Sequence, residues 1–189
     1  PEDGAAAIDL LSVGPNDFVL GIAASGTTPF VHGALARARA LGSRTGFLLC
    51  TYPTPELVDT HDVVIAPLVG PEVVTGSTRM KAGTATKLVL NLITTGAMIR
   101  IGKVFGNLMV DLQATCEKLQ DRGERILMET LDVERGEATE LLQAAEGHVK
   151  TALVMHGRQV GKDEAIDLLE QASGVLAQAL SASPDAADP

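Results

Sequence analysis

Three short apolar runs, each bounded by turn-forming residues, set the strongest limit on how this chain folds. Unbroken apolar runs of this length are typical of strands that are buried on both faces. A helical stretch from Thr28 to Leu41 separates the first two, with Pro29 in its first turn. Strand, helix and strand joined by short connections predict a parallel sheet in an α/β fold. The three runs read DFVLGIA (17–23), RTGFLLC (44–50) and DVVIAPLV (62–69).

Helical periodicity accounts for most of the remaining chain. A short alanine-rich helix is predicted within residues 3–14 and a long one over 77–102, opened by Ser77 and Thr78. The long helix is apolar nearly all round from Leu88 to Ile93, which predicts burial against other elements. Residues 107–131 continue in helical period, and three short amphipathic helices are predicted between Glu134 and Leu180.

Composition limits the classes of function that this chain can have. Its 189 residues are enough for one sizeable domain with a small appendage. The net charge of −9 argues against a nucleic-acid-binding surface, and no apolar run is long enough to span a membrane. The four histidines are scattered without metal-ligand spacing, and Cys50 and Cys116 are expected to be reduced and structural.

The first candidate site is the run of Ser25, Gly26, Thr27 and Thr28. It lies between a predicted strand and the helix that begins near Pro29, the place where open parallel sheets gather ligands. Unpaired backbone N–H groups, a glycine and three hydroxyls at a helix start can hold a phosphate or a polyhydroxylated sugar. The alternative is an ordinary capping turn that is rich in Ser and Thr, and the residue spacing does not decide between the two.

The second candidate site is the polar cluster before the long helix. Thr75, Ser77 and Thr78 precede Arg79 and Lys81. Cations in a first helical turn oppose the helix dipole unless an anion is nearby. Basic side chains that are simply solvated are the alternative, and the acidic residues Glu2 and Asp3 gain no role from residue chemistry alone.

A longer block makes the chain resemble a known family. The segment GPEVVTGSTRMKAGTATKLVLNLITTGAMIRIGKVFGNLMVDLQATCEKL (70–119) closely resembles the signature region of N-acetylmuramic acid 6-phosphate etherases. GIAASGTTPFV (21–31) resembles the family's second sugar-phosphate loop, in a sugar isomerase (SIS) domain, and the opening PED resembles the end of its EGAED-type motif. GHVKTALVM (147–155) resembles part of the small ubiquitin-associated-like (UBA-like) domain that closes such chains.

The resemblance implies a domain organisation. Residues 1–132 are expected to form the C-terminal portion of a parallel-sheet SIS domain with its long helices. Residues 133–181 are expected to form a small three-helix, UBA-like bundle, and residues 182–189 a disordered tail. The family's first phosphate loop (GAGTSGR-like) and first catalytic glutamate (in an ECPPT-like segment) have no counterpart in this sequence. We therefore expect an N-terminally truncated chain that is inactive alone.

The resemblance also implies a reaction. Such enzymes are cytoplasmic homodimeric lyases of cell-wall sugar recycling, which cleave the lactyl ether of N-acetylmuramic acid 6-phosphate. The products are N-acetylglucosamine 6-phosphate and D-lactate, formed by elimination and then water addition, without a metal or organic cofactor. Motif matching assigns Glu2 to the second catalytic glutamate. It assigns substrate binding to Ser25, Gly26, Thr27, Thr28, Ser77, Arg79 and Lys81.

Two other functions stay open on the sequence. A non-catalytic sugar-phosphate sensor that resembles the glucokinase regulatory protein would share the RMK-type block. An aldose–ketose isomerase of the same fold fits that block less well. The segment around Tyr52 also departs from the CNPGS-like pattern expected after the second strand, which leaves that loop without an assigned function.

Overall fold

The computed structural model describes residues 1–181, which divide into two compact units at Leu92 and Ile93. The division falls inside one long helix. The elements of the first unit, with that helix last, are α1 (Glu2–Asp9), β1 (Phe18–Ile22), α2 (Pro29–Ala40), β2 (Arg44–Leu48), α3 (Pro55–Thr60), β3 (Val63–Ile65) and α4 (Lys81–Arg100).

The first unit is an α/β structure around a parallel sheet of order β1-β2-β3, as the three apolar runs predict. The central strand β2 is buried from Thr45 onward. Burial of β1 on both faces is wrong. Helix α2 covers the face of Gly21, since Leu35 and Val31 would meet any Cβ placed there. Phe18 and Ile22 lie on the other face by the period-two rule and stay 50% and 42% exposed.

Two glycines bring α1 and α2 into backbone contact. A Cβ on Gly4 would lie 2.0 Å from the carbonyl oxygen of Phe30, and one on Gly33 would lie 1.9 Å from the carbonyl oxygen of Pro1. An ion pair between Asp9 and Arg37 joins the other ends of the two helices at 2.6 Å. The start of α1 therefore lies beside the first turns of α2.

The apolar middle of α4 is not covered as its composition predicts. Leu88, Leu92 and Ile93 are 53%, 73% and 41% exposed, and Ala82 is the buried residue of this helix. An apolar helix surface favours burial, but the sequence pattern does not identify the surface that covers it. The prediction of burial is therefore wrong for the chain as described.

The second unit begins with a hairpin where the periodicity predicts a helix. Strands β4 (Val104–Phe105) and β5 (Leu108–Met109) pair antiparallel around Gly106 and Asn107. Gly106 has φ +58°, as the first position of a type II′ hairpin turn requires. Short apolar runs fit helix and strand periods equally, so the turn at Gly106 decides for a hairpin. The prediction of helix is therefore wrong from residue 107 to Cys116.

Five helices follow in the described part of the second unit, around one apolar core. The third predicted helix of the C-terminal region is two helices, because Ser173 and Gly174 adopt φ +51° and +77° and end the first of them. The predicted boundary at 132/133 stays a prediction, and the predicted tail lies outside the described residues. The helices are α5 (Glu117–Leu131), α6 (Arg135–Ala144), α7 (Val149–Arg158), α8 (Lys162–Gln171) and α9 (Leu176–Ser181).

Candidate functional site

The loop of residues 25–28 leaves the carboxyl end of β1 in a defined turn. The hydroxyls of Ser25 and Thr27 lie 2.9 Å apart, and the Thr27 N–H donates to Ser25 Oγ at 3.3 Å. Gly26 has φ +74° and its N–H donates to the carbonyl of Ala23 at 2.9 Å. The left-handed conformation explains why glycine stands at this position, and the side chains of Ser25 and Thr27 remain at the surface.

The start of α2 is open to a ligand on its capping side. Thr28 occupies the N-cap position and Pro29 the first turn, as predicted, but the Thr28 side chain makes no capping hydrogen bond. A side chain at this position usually accepts from a backbone N–H of the first turn. The exposed hydroxyl of Thr28 therefore bonds no N–H of the first turn, in which Pro29 has no N–H and the Val31 N–H donates to the Thr28 carbonyl at 3.0 Å.

A histidine supports the loop from the protein side. Nε2 of His32 lies 2.8 Å from the carbonyl oxygen of Gly26, and because a carbonyl can only accept, the ring donates. The His32 ring also packs against buried Phe47, with 5.4 Å between ring centroids. Sequence reasoning missed this residue, although its position one helical turn after Thr28 is a usable signal.

A cavity of about 370 Å³ lies beside this support. In it, His61 Nδ1 lies 3.0 Å from the hydroxyl of buried Thr45. Burial lowers the pKa of His61, and the charges of Arg39 and His32 lower it further. The residues that line the cavity are Gly26, Thr27, His32, Thr54, Glu56, Leu57, Thr60 and His61.

Cys50 joins the first candidate loop to the start of α4. Its N–H donates to the carbonyl of Ala24 at 2.9 Å. Its thiol lies 3.7 Å from both the carbonyl of Ala82 and the hydroxyl of Thr86. The loops that follow β1 and β2 and the first turns of α4 therefore meet at the carboxyl edge of the sheet, as ligand sites of open parallel sheets do.

The start of α4 differs from the prediction. The helix begins at Lys81 and is not opened by Ser77 and Thr78. Both carboxylate oxygens of Glu72 accept backbone N–H groups, from Lys81 and from Ala82, each at 3.0 Å. These bonds lower the pKa of Glu72, with the Ala82 N–H as the largest cause.

The basic side chains of the second cluster are turned to solvent. Arg79 and Lys81 are exposed, and neither takes part in an ion pair with the described residues. Ser77 is half-buried, and its N–H donates to the carbonyl of Val74 at 3.0 Å. The charge of Lys81 already acts on the carboxylate of Glu72 and lowers its pKa, whereas Arg79 has no ion-pair partner in the described part of the chain and is suited to an anionic ligand.

Glu2 lies at the first position of α1, beside the first turns of α2. Its side chain is 93% exposed. Its own backbone N–H lowers the pKa of Glu2. Glu2 is therefore a charged carboxylate at neutral pH, which suits a base. The burial that would make a carboxyl group an acid is not present around Glu2.

Residues 1–181 hold neither a cluster of metal ligands nor a membrane-spanning helix. No three His, Cys, Asp or Glu side chains lie together in this range as a metal site would require. No helix in the same range combines the length and the apolar character that crossing a membrane takes. Cys50 and Cys116 are both free thiols, as predicted.

Comparison with known proteins shows which proteins this chain is similar to. No family model matches the chain. It is 52% identical over 181 residues to a protein of Synechococcus elongatus named N-acetylmuramic acid 6-phosphate etherase, covering 96% of this chain and 59% of that protein. Etherases of the same name from Salinibacter ruber (52% over 181 residues, 95% and 58% covered) and Rhodopirellula baltica (48% over 171 residues, 90% and 56%) match as well.

The chain thus spans a little over half the length of the curated relatives it matches. The matched span of 181 residues in this chain of 189 includes both candidate loops. The resemblance that the GSTRMKAG block indicates is confirmed. Over the shared segment, this chain is a homologue of the N-acetylmuramic acid 6-phosphate etherases.

Proposed function

We propose that the protein containing this chain is a lyase that cleaves the lactyl ether of N-acetylmuramic acid 6-phosphate, in cell-wall sugar recycling. The products are N-acetylglucosamine 6-phosphate and D-lactate. The observation that carries the proposal is the 52% identity to a named etherase over 96% of the chain. Cys50 contacts Ala24, next to the first candidate loop, and Ala82, next to the second, which supports it because a sugar phosphate needs contacts from more than one element.

The fold assignment follows from the same similarity. We propose that the parallel sheet and the long helices up to residue 132 are part of an SIS domain. The helices from Arg135 to Ser181 would form the UBA-like domain of these proteins. In the described part of the chain this region has four helices.

The phosphate group is proposed to bind at residues 25–28. The exposed hydroxyls of Ser25, Thr27 and Thr28 supply hydrogen-bond donors, and the dipole of α2 favours an anion at this helix start. Ser77, Arg79 and Lys81 would contact the same ligand from the α4 side. Local hydrogen-bond donors at a helix start can hold a phosphate on a protein of net charge −9 without a basic surface.

The chemistry requires proton transfer and no redox step. In the open-chain sugar, the aldehyde acidifies the C2 proton, so a positioned carboxylate can remove it. We propose Glu2 as that base, because motif matching assigns it to a catalytic glutamate and an exposed carboxylate can accept the proton. The bond between the sugar and the lactyl oxygen then breaks, lactate leaves with a proton from an acid, and water adds to the resulting double bond.

The exposed apolar surface of α4 supports a proposal about assembly. Leu88, Leu92 and Ile93 present large side chains to solvent, which is unusual for a monomer surface. We propose that a second copy of the protein covers them in a homodimer, which would act in the cytoplasm.

The direct test is an assay of lactate release. Purified protein containing this chain should release D-lactate from N-acetylmuramic acid 6-phosphate. Glu2→Gln should reduce turnover by about a hundredfold or more, as loss of a general base does, with little change in affinity for N-acetylglucosamine 6-phosphate. Asp3→Asn, the neighbouring carboxylate, is the matched control. Near-normal turnover by the Glu2→Gln variant would contradict the assignment of the base.

A further inference from the structure

Glu72 is a carboxylate that the reaction proposed above does not use, yet it makes two hydrogen bonds at the start of α4, beside the second candidate cluster. Its two oxygens each accept one backbone N–H, from Lys81 and from Ala82, at 3.0 Å. Two-point contact of this kind fixes both the position and the direction of a helix start.

The contact joins the two ends of one loop. Glu72 stands before residues 73–80, and the two N–H donors stand directly after them. The loop contains Gly76 at φ +83°, and Ser77 N–H closes a turn onto the carbonyl of Val74. Exposed Arg79 and Lys81 emerge where this closed loop becomes helix.

We propose that Glu72 is the positioning residue of the second cluster: its carboxylate holds the start of α4 and so directs Ser77, Arg79 and Lys81 toward the ligand. Glu72 does not contact the substrate. The inference rests on the proposed function in so far as the ligand is a sugar phosphate.

The alternative role for this helix start is direct anion binding. The N–H groups at positions 81 and 82 would be ordinary donors for a phosphate if they were open. In this chain they are already satisfied by a carboxylate of the preceding loop. The contribution of α4 to the ligand therefore comes from side chains, and not from its first N–H groups.

The first test needs no ligand. Amide chemical shifts of Lys81 and Ala82, followed by NMR between pH 7 and pH 3, should titrate with a midpoint below 4.5, the ordinary value for glutamate. Glu72→Gln should abolish this titration and shift the amide signals of residues 77–82. Glu164→Gln, a neutralised first-turn acid of α8, should leave them at their wild-type values. Amides that do not titrate, or that keep their positions in the Glu72→Gln variant, would overturn the inference.

The second test measures ligand affinity. Calorimetric titration with N-acetylglucosamine 6-phosphate should give a dissociation constant about tenfold higher for Glu72→Gln than for wild type, equivalent to one charge-assisted contact. Glu72→Asp should recover part of the loss, because it restores the carboxylate at a shorter reach. Unchanged affinity in the Glu72→Gln variant, with its fold intact by circular dichroism, would overturn the positioning role. Failure of wild type to bind the sugar phosphate would contradict the proposed function, and the amide titration would still decide whether Glu72 holds the turn.

Discussion

Two helices start at the carboxyl edge of the same sheet, and they treat their first backbone N–H groups differently. At the start of α2, Thr28 makes no side-chain capping bond. At the start of α4, the carboxylate of Glu72 satisfies the N–H groups of Lys81 and Ala82. Sequence patterns rich in Ser, Thr and Gly precede both helices, so composition does not distinguish an open helix start from a closed one.

On this difference we base the proposal that the two regions have separate tasks in ligand binding. An open helix start with exposed hydroxyls offers donors to a phosphate. A closed start offers a rigid platform from which side chains project. Under this proposal, residues 25–28 would bind the phosphate, and the turn before α4 would place Ser77, Arg79 and Lys81 around the rest of the ligand.

The largest expected effect is a loss of ligand affinity when Gly26, in the loop before α2, is replaced by a residue with a side chain. Gly26→Ala places a Cβ at φ +74°, 3.0 Å from a methyl group of Leu49. The left-handed conformation alone costs about 1–2 kcal/mol for a residue with a side chain. Affinity for N-acetylglucosamine 6-phosphate should fall about tenfold by calorimetry, since the loop must move to relieve the strain.

The matched control for this variant is Gly14→Ala. Gly14 has no neighbouring atom within 4 Å of an added Cβ, and its φ is not positive. The unfolding free energy of this control should stay within about 0.5 kcal/mol of wild type. Equal affinity losses in the two variants would mean that the shape of the 25–28 loop has no special part in binding.

A smaller effect is expected when the support of the open start is removed. His32→Ala deletes the donor that holds the Gly26 carbonyl at 2.8 Å. A neutral hydrogen bond contributes about 0.5–1.5 kcal/mol, so affinity should fall several-fold. His32→Gln, whose amide can donate to the same carbonyl, should recover part of the loss. If alanine and glutamine variants bind equally, the hydrogen bond is not what orders the loop.

The smallest expected effect is on the pH dependence of stability, which differs between the two helix starts. The pKa of His61 is lowered by burial beneath the open start, so the unfolded chain, with an ordinary value of 6.5, binds its proton more readily. Stability should therefore decrease as pH falls below 6.5 through the folded pKa of His61. The contribution of Glu72 at the closed start is kept until pH falls below 4.5.

Urea unfolding at pH 7.5 and pH 5.5 measures the His61 contribution. Wild type should be less stable at pH 5.5, and His61→Gln should show a smaller difference between the two values. Glu72→Gln should retain the full wild-type difference, because Glu72 does not titrate in this window. A His61→Gln variant with the wild-type pH dependence would show that other groups cause it.

Local patterns predicted the elements that depend on neighbouring residues. The apolar runs indicated β1, β2 and β3, and Pro29 marked the first turn of α2, because burial and backbone restriction act over a few residues. The hairpin at Gly106 was missed because VFGNLM fits either period. Ser173–Gly174 does carry a stop signal for α8, and the amphipathic pattern that continues past it concealed the break.

The parts of the site that were missed depend on contacts between distant residues. Glu72 caps a helix that starts nine residues later, beyond the reach of capping patterns that span one turn. The meeting of Ala24, Cys50 and Ala82 depends on strand order, which periodicity does not specify. Residue chemistry supplied Ser77, Arg79 and Lys81 as candidates, the family resemblance added Glu2, and the structure supplied their surroundings.

One measurement tests the contrast between the helix starts most directly. Isotope-labelled protein is titrated with N-acetylglucosamine 6-phosphate, and the backbone amide shifts of both regions are followed by NMR at pH 7. We predict large, saturable shifts at Gly26, Thr27 and Thr28 and only small ones at Lys81 and Ala82, whose N–H groups stay on Glu72. Shifts at Lys81 and Ala82 that equal or exceed those of the 25–28 loop would show that the ligand displaces Glu72, and would contradict the assignment of separate tasks to the two helix starts.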